Sequence, residues 1–386
     1  MNWPIVLQHL KKHQVPPLGF VPEPLLNALA GAASLRGRFQ ELTPLERMLT
    51  TFRHKEPDRV PVSPILCSGA RQISGMTFPD FALDGEKAAR VFLDGFEFVG
   101  GDAVILLLDL SVEAADFGQA MMYPEASTPH PDYARPLLAG HDDYGRLKPI
   151  RLSEARRMQE FVRLCRIMVE KVGLRSIISG FVFGPLGVLG MLRGAENLLK
   201  DCLLYPKQVK AACETITGVL IDFVNAQCDT GVPAVAIDSL FASRSALPKP
   251  VWEDIEGPFT REISQAIRAR GCIVGLHNCG DAPYFDAQIR SMAPGFISFA
   301  ELPDDCKTPR ELKQKYGDQT TLVGYIPTPL LVHGTPRQVM EEAKRQIDIL
   351  APGGGYLLAP GCEYPPNIPL TNAFALIRAA QTYGRK

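Results

Sequence analysis

A histidine and a cysteine stand two positions apart at the end of an apolar run in GLHNCG (275–280), and a further cysteine follows another such run in APGCEYPP (359–366). His277, Cys279 and Cys362 together offer one imidazole and two thiols, the donor types that zinc takes. Three protein donors leave one coordination position for water or substrate. That is the catalytic pattern, because structural zinc sites normally close with four protein ligands. Cobalt or iron fit the same set less well. Gly280 and Gly361 suit a tight backbone beside the donors, and suit an ordinary strand-to-helix turn equally.

Carboxylates recur in the same contexts. Asp109, Asp238 and Glu301 end apolar runs, and Glu363 follows Cys362. Such groups can transfer protons, orient a metal ligand or supply a labile fourth ligand; helix N-capping is the other common use of an acid at these turns. Asp109 and Asp238 are the catalytic candidates, and Arg71, Tyr325 and Glu363 the substrate-binding ones. Arg53, Arg59 and Arg71 flank the first apolar run, where they suit a carboxylate or phosphate, or plain salt bridges. His130 and His333 lie in loops with no partner legible nearby. GGG at 353–355 precedes an apolar run instead of opening a helix, so it is not a nucleotide phosphate loop.

These residues need a scaffold that brings distant run ends together. Eight short runs rich in Val, Ile and Leu read as strands buried on both faces: 60–66, 103–109, 175–181, 232–238, 273–277, 296–301, 321–325 and 354–360. Amphipathic helical stretches separate them, many opening at a capping residue or Pro and stopping at Gly. The alternation predicts an α/β fold, a (β/α)8 TIM barrel over 43–386, with an open doubly wound sheet as the competitor. In a barrel, the candidate residues converge on the C-terminal rim. Residues 1–42 read as an N-terminal helical extension, and 111–150 as a long insertion after the second strand.

Composition narrows the setting. The 386 residues are 46% hydrophobic and 22% charged with a formal net charge of -1, which suggests neither nucleic acid nor an anionic membrane as partner. No run approaches the roughly 20 apolar residues of a spanning helix, and the N-terminus lacks signal-peptide features, so a cytoplasmic protein is expected. Nine cysteines, an odd number, read as reduced thiols. Cys165, Cys202, Cys213 and Cys228 fall in helical stretches as small buried hydrophobes.

Four stretches carry a family resemblance: TPLERMLTTFRHKEPDRVPV, DLSVEAADFGQ, FGPLGVLGMLRGAENLLKDCLLYPKQV, and the C-terminal stretch running from GTPRQVMEEAKRQ through GGGYLLAPGCEYPP to AAQTYG. From about residue 43 to 384 the chain resembles the uroporphyrinogen decarboxylase superfamily, whose fold is a (β/α)8 barrel. The decarboxylases proper use no metal and carry an arginine loop resembling MRQAGR. Here that place reads ILCSGARQISG, and only Arg71 remains as a counterpart. The other branch, zinc-dependent methyltransferases working with corrinoid proteins, has an H-x-C motif and a distant Cys in a PGC context, which His277, Cys279 and Cys362 match. The resemblance therefore implies Zn2+ at those three residues and a corrinoid (cobalamin) on a partner protein. That partner would dock at the barrel mouth near Tyr325, His333 and Glu363. It implies methyl transfer to a thiol such as coenzyme M, or O-demethylation of a methoxylated aromatic, with homodimerisation possible. The N-terminal extension and the 111–150 insertion are expected to cover a larger substrate. A metal-free decarboxylase and a corrinoid- or methyl-binding protein without chemistry are the alternatives.

Overall fold

The structure, a computed structural model, describes residues 3–12 and 14–385. Seven parallel strands lie side by side in chain order: β1 Ala103–Ile105, β2 Ile177–Phe183, β3 Ala234–Asp238, β4 Ile273–Asn278, β5 Phe296–Phe299, β6 Thr321–Ile326 and β7 Tyr356–Pro360. β2, β3, β5, β6 and β7 are buried along their whole length, as expected of strands walled by helices outside and by core side chains inside.

The eighth barrel position departs from expectation. Residues 60–66 form no strand: they join the sheet through a single parallel bridge, Val62 to Leu358, because Pro61 and Pro64 have no N–H to donate, and the backbone turns at Ile65 (φ 46°) into helical geometry at Leu66. The segment still closes the barrel. On one side Leu358 N donates to Pro61 O and Ser63 N to Leu358 O; on the other Asp102 N donates to Val62 O at 2.7 Å. A buried ion-pair network locks this seam at its lower end. The Asp102 carboxylate accepts from Arg47 Nη1 at 2.5 Å, Arg59 Nη1 at 2.8 Å and Val62 N at 2.9 Å, while Arg47 also pairs with Asp58. The predicted second strand is shorter than its run: after Ile105 the chain leaves the ladder, with Leu106 N still donating to Ser179 O.

The helices show the periodicity that placed them. Along Arg156–Val172 the buried positions Phe161, Leu164, Cys165 and Met168 recur every three or four residues. Thr335 caps Pro336–Leu350 in a reciprocal box with Gln338. All nine cysteines are free thiols, and Cys165, Cys202, Cys213 and Cys228 are buried. No helix among the described residues is long and apolar enough to cross a membrane.

The N-terminal segment forms helices Trp3–Lys11 and Glu23–Arg36. Its contacts correct one expectation. Gly19 N donates to Gly271 O, just before β4 begins, and Ser34 Oγ to Glu56 O. The segment therefore covers the N-terminal end of the barrel, opposite the strand ends that carry the candidate site, and cannot shape a substrate cavity there. Only the 111–150 insertion reaches the mouth, as the helix Val112–Asp116 followed by a two-stranded hairpin pairing Met121–Met122 with His130–Pro131.

Candidate functional site

His277 is the penultimate residue of β4, and Cys362 lies two residues beyond the end of β7. Parallel registry aligns the strand ends, so residues 85 apart in sequence meet: Cys362 Sγ lies 3.8 Å from His277 Nε2. With Cys279 Sγ, these donor atoms all fall within 4.8 Å of one another. A tetrahedral zinc with ordinary bond lengths needs about 3.6 Å between nitrogen and sulfur and about 3.8 Å between two sulfurs. Small side-chain rotations close the difference, so the donor set fits the ion.

The backbone that carries the donors is tightly held. Asn278 donates through Nδ2 to Ser239 O and Ala242 O and accepts from Gly280 N, fixing the loop on which Cys279 sits. At Gly280 a Cβ would stand 2.5 Å from Ser243 Oγ, and at Gly361 one would stand 2.8 Å from Ala300 Cα. Both positions need glycine because neighbouring chain passes too close.

Ser298, which the sequence reading passed over, sits opposite His277 in the β4–β5 register, and its hydroxyl lies 3.0 Å from His277 Nδ1. With Nδ1 engaged, Nε2 is turned toward the two thiols. The available signal was a lone polar residue inside the apolar run FISF. The register that gives it meaning is not visible in one strand.

The charges are coupled. Hydrogen bonds from Cys279 and from His277 hold Cys362 well below the ordinary thiol range, against burial, and Cys279 is pushed up by donating to it. Burial opposes a charged imidazole at His277, but its bond to Cys362 and the surrounding negative charge raise it to about 9. These bonds favour negative charge on Cys362 and positive charge on His277. Burial raises Asp238, at the end of β3, to about 7, and its Oδ1 is buried without a hydrogen-bond partner. Glu363 is raised to about 8, first by burial and then by the Cys362 charge.

These groups lie in the wall of a cavity of about 200 Å³ in the barrel mouth. Asp109, Asp238, His277, Cys279, Cys362, Glu363 and Ser298 all line it, with apolar walls from Ile105, Phe181, Met191, Leu240 and Phe296. Thr128, Pro129, His130, Pro131 and Tyr133, from the insertion hairpin and the turn after it, border it from the insertion side. Asp109 is ion-paired with the buried Arg157 at 2.5 Å and accepts from Ser111 N, so it serves the wall as a paired carboxylate.

Two expected substrate contacts are not brought here. Arg71 stacks on Phe78 at 3.4 Å and donates to Met76 O and Asn367 Oδ1, which ties two loops together outside the cavity lining. Tyr325 stacks on Phe299, exchanges backbone hydrogen bonds with Gln346 and meets Arg345 through its hydroxyl, all on the outer side facing Pro336–Leu350. Inward and outward residues alternate along a strand, and position in the run did not reveal which side Tyr325 takes. Arg53 and Arg59 are used in ion pairs with Glu23 and Asp102, and Glu301 and His333 are exposed outside the cavity lining.

The chain belongs to the uroporphyrinogen decarboxylase (URO-D) family, whose profile matches residues 43–383. It is similar to the methylcobamide:CoM methyltransferase MtaA of Methanosarcina barkeri, 25% identical over 347 residues that cover 89% of this chain and 99% of that protein. The methylcobamide:CoM methyltransferase MtbA of Methanosarcina acetivorans is 24% identical with the same coverage. The uroporphyrinogen decarboxylase of Helicobacter pylori is 23% identical over 320 residues, covering 80% of this chain and 89% of that one. Among solved structures, a methyltransferase from Methanosarcina mazei superposes with a TM-score of 0.75 at 22% identity, covering 88% of this chain and 99% of that one, and confirms the barrel fold. With methyltransferases among its full-length relatives, the chain is a methyltransferase-type enzyme of this family.

Proposed function

We propose that the chain is a zinc-dependent methyltransferase that moves a methyl group between a small molecule and the cobalt of a corrinoid on a separate protein. The observation that carries this reading is the meeting of His277 Nε2, Cys279 Sγ and Cys362 Sγ in the wall of an apolar cavity at the barrel mouth. The similar Methanosarcina proteins, named for a methylcobamide and coenzyme M, support the corrinoid. His277, Cys279 and Cys362 would hold the zinc, which when bound supplies Lewis acidity toward an ether oxygen or holds a thiol as its thiolate.

The chain's own residues do the rest. Ser298 fixes the His277 ring, and Arg157 holds Asp109 in the wall. Apolar side chains keep water from the reacting groups. Asp238 and Glu363 hold protons near neutral pH, beside the donors. In demethylation a reduced corrinoid would accept the methyl group, the C–O electron pair would stay on oxygen, and Asp238 or Glu363 would give that oxygen its proton. In the thiol direction a methylated corrinoid would supply the methyl group to the sulfur, and Asp238 or Glu363 in its ionised form would take the thiol proton. The corrinoid protein docks over the mouth, beside the 121–133 hairpin.

A metal-free decarboxylase is disfavoured because no Lys or Arg stands among the described cavity-lining residues to hold a porphyrinogen's carboxylates. Methyl transfer with reduced or methylated cobalamin, a methoxylated aromatic and a thiol tests the proposal. Turnover in one direction, lost on chelation and restored by zinc, is expected. Turnover indifferent to chelation, or none with either substrate, contradicts it.

A further inference from the structure

The 121–133 hairpin is knitted together at its base and held from outside at its tip. At the base the buried Gln119 donates through Nε2 to Ala120 O, Asp132 O and Arg135 O and accepts from Leu137 N. Beyond that only Met121–Met122 and His130–Pro131 pair, and so short a hairpin has little stability of its own. Among the described residues, the turn 124–129 takes just two hydrogen bonds from the rest of the chain. Asn367 Nδ2 donates to Ala126 O at 2.9 Å, and Phe78 N to Glu125 O at 3.5 Å.

Both donors are braced by one buried side chain. Arg71 has only donors to offer, so its Nη2 takes Asn367 Oδ1, at 3.3 Å, and leaves Nδ2 for the hairpin. The same guanidinium stacks on the Phe78 ring at 3.4 Å and is itself fixed by Nη1 on Met76 O. Gln72 Nε2 donates to Pro366 O and Ile368 O, which seats the backbone on either side of Asn367. The hold bears on the cavity because residues 128–131, just beyond Ala126, line it, with Pro129 and Pro131 buried.

We propose that Asn367 is a positioning residue: oriented by Arg71 and seated by Gln72, it holds the hairpin tip and so fixes the wall that residues 128–131 present to the cavity. The hold rests on the hydrogen bonds alone; its effect on turnover rests on the methyl-transfer reading.

The test is limited proteolysis by a glutamyl endopeptidase, with cleavage after the exposed Glu125 read by fragment mass in the parent, Asn367→Asp and Asn367→Ala. Aspartate keeps an oxygen for Arg71 but loses the donor and turns a carboxylate oxygen toward Ala126 O. Loss of one hydrogen bond of ordinary net strength shifts an opening equilibrium about fivefold, and cleavage of a transiently open segment follows that equilibrium. Cleavage after Glu125 is therefore expected to be about fivefold faster or more in both variants, with cleavage after Glu41, exposed in the N-terminal segment, unchanged. Cleavage after Glu125 within about twofold of the parent, or equal acceleration at Glu41, overturns the inference. Methyl transfer is then measured with mercaptoethanesulfonate and methylcobalamin, and with guaiacol and reduced cobalamin. A wall that is in place only part of the time weakens apparent binding, so KM for the small molecule should rise about twofold or more with kcat kept. Unchanged KM beside faster cleavage overturns the role at the cavity wall. No turnover by the parent with either pair removes the methyl-transfer reading, and the cleavage result alone then decides the hold.

Discussion

Replacing Ser298 by alanine removes one hydroxyl from the partner of the imidazole. Ser298 is 2% exposed, so water does not readily take its place. Its Oγ, at 3.0 Å, engages His277 Nδ1 and leaves Nε2 to face Cys362. Without it, Nδ1 is left unsatisfied, and the ring loses both its preferred tautomer and its orientation. Loss of such an orienting hydrogen bond typically weakens metal binding about 10- to 100-fold, or about 1.4 to 2.7 kcal/mol. The assay is competition for zinc against a chromophoric chelator, with thermal unfolding alongside to separate affinity from folding. Ser298→Thr, which keeps the hydroxyl, is expected to bind zinc nearly as the parent does. Affinity of the alanine variant within twofold of the parent would refute the idea that Ser298 sets the His277 ring for a metal.

Asp102→Asn withdraws the carboxylate that is ion-paired with Arg59 and with Arg47, so urea denaturation should show a loss of about 3–5 kcal/mol; a loss below about 1 kcal/mol would mean that the seam is held otherwise. Gly361→Ala forces a methyl to 2.8 Å from Ala300 Cα and should cost about 1–3 kcal/mol by the same assay, with weaker zinc binding because Cys362 moves with it; unchanged stability and affinity would show the chain to be yielding there. Glu113, whose Oε1 accepts from Phe183 N, is raised by burial from 4.5 to about 7, so the folded state holds its proton more tightly than the unfolded one. The stability it lends is complete below pH 4.5 and lost as pH rises through 7, an effect of up to about 3 kcal/mol. Denaturation curves of Glu113→Gln should therefore gain on the parent across that window, and a difference independent of pH would contradict the assignment.

The chemistry-bearing residues were legible because their side chains are unusual where they stand. A histidine and two cysteines at the ends of apolar runs need only the barrel rule to be placed together, and the parallel strands bring them to one rim. What sequence could not convey was pairing across distance. Ser298 matters through its register with a strand 21 residues away, and Arg157, which reads as one of many charges on an amphipathic helix, matters through Asp109, 48 residues before it. The first barrel strand was predicted from Val60, Val62 and Ile65, whereas Pro61 and Pro64 withhold the donors that a ladder requires. The N-terminal helices were foreseen as helices, but nothing in their own pattern says which end of a barrel they cover. That depends on a backbone contact with Gly271, far along the chain.

Whether GLHNCG and APGCEYPP build one metal site is read from the zinc content of protein purified without oxygen, measured beside Cys362→Ser. One zinc per chain is expected in the parent, and a content lost or sharply reduced in the variant while its circular dichroism is unchanged. No zinc in the parent after reconstitution, or full zinc in the variant, would contradict it.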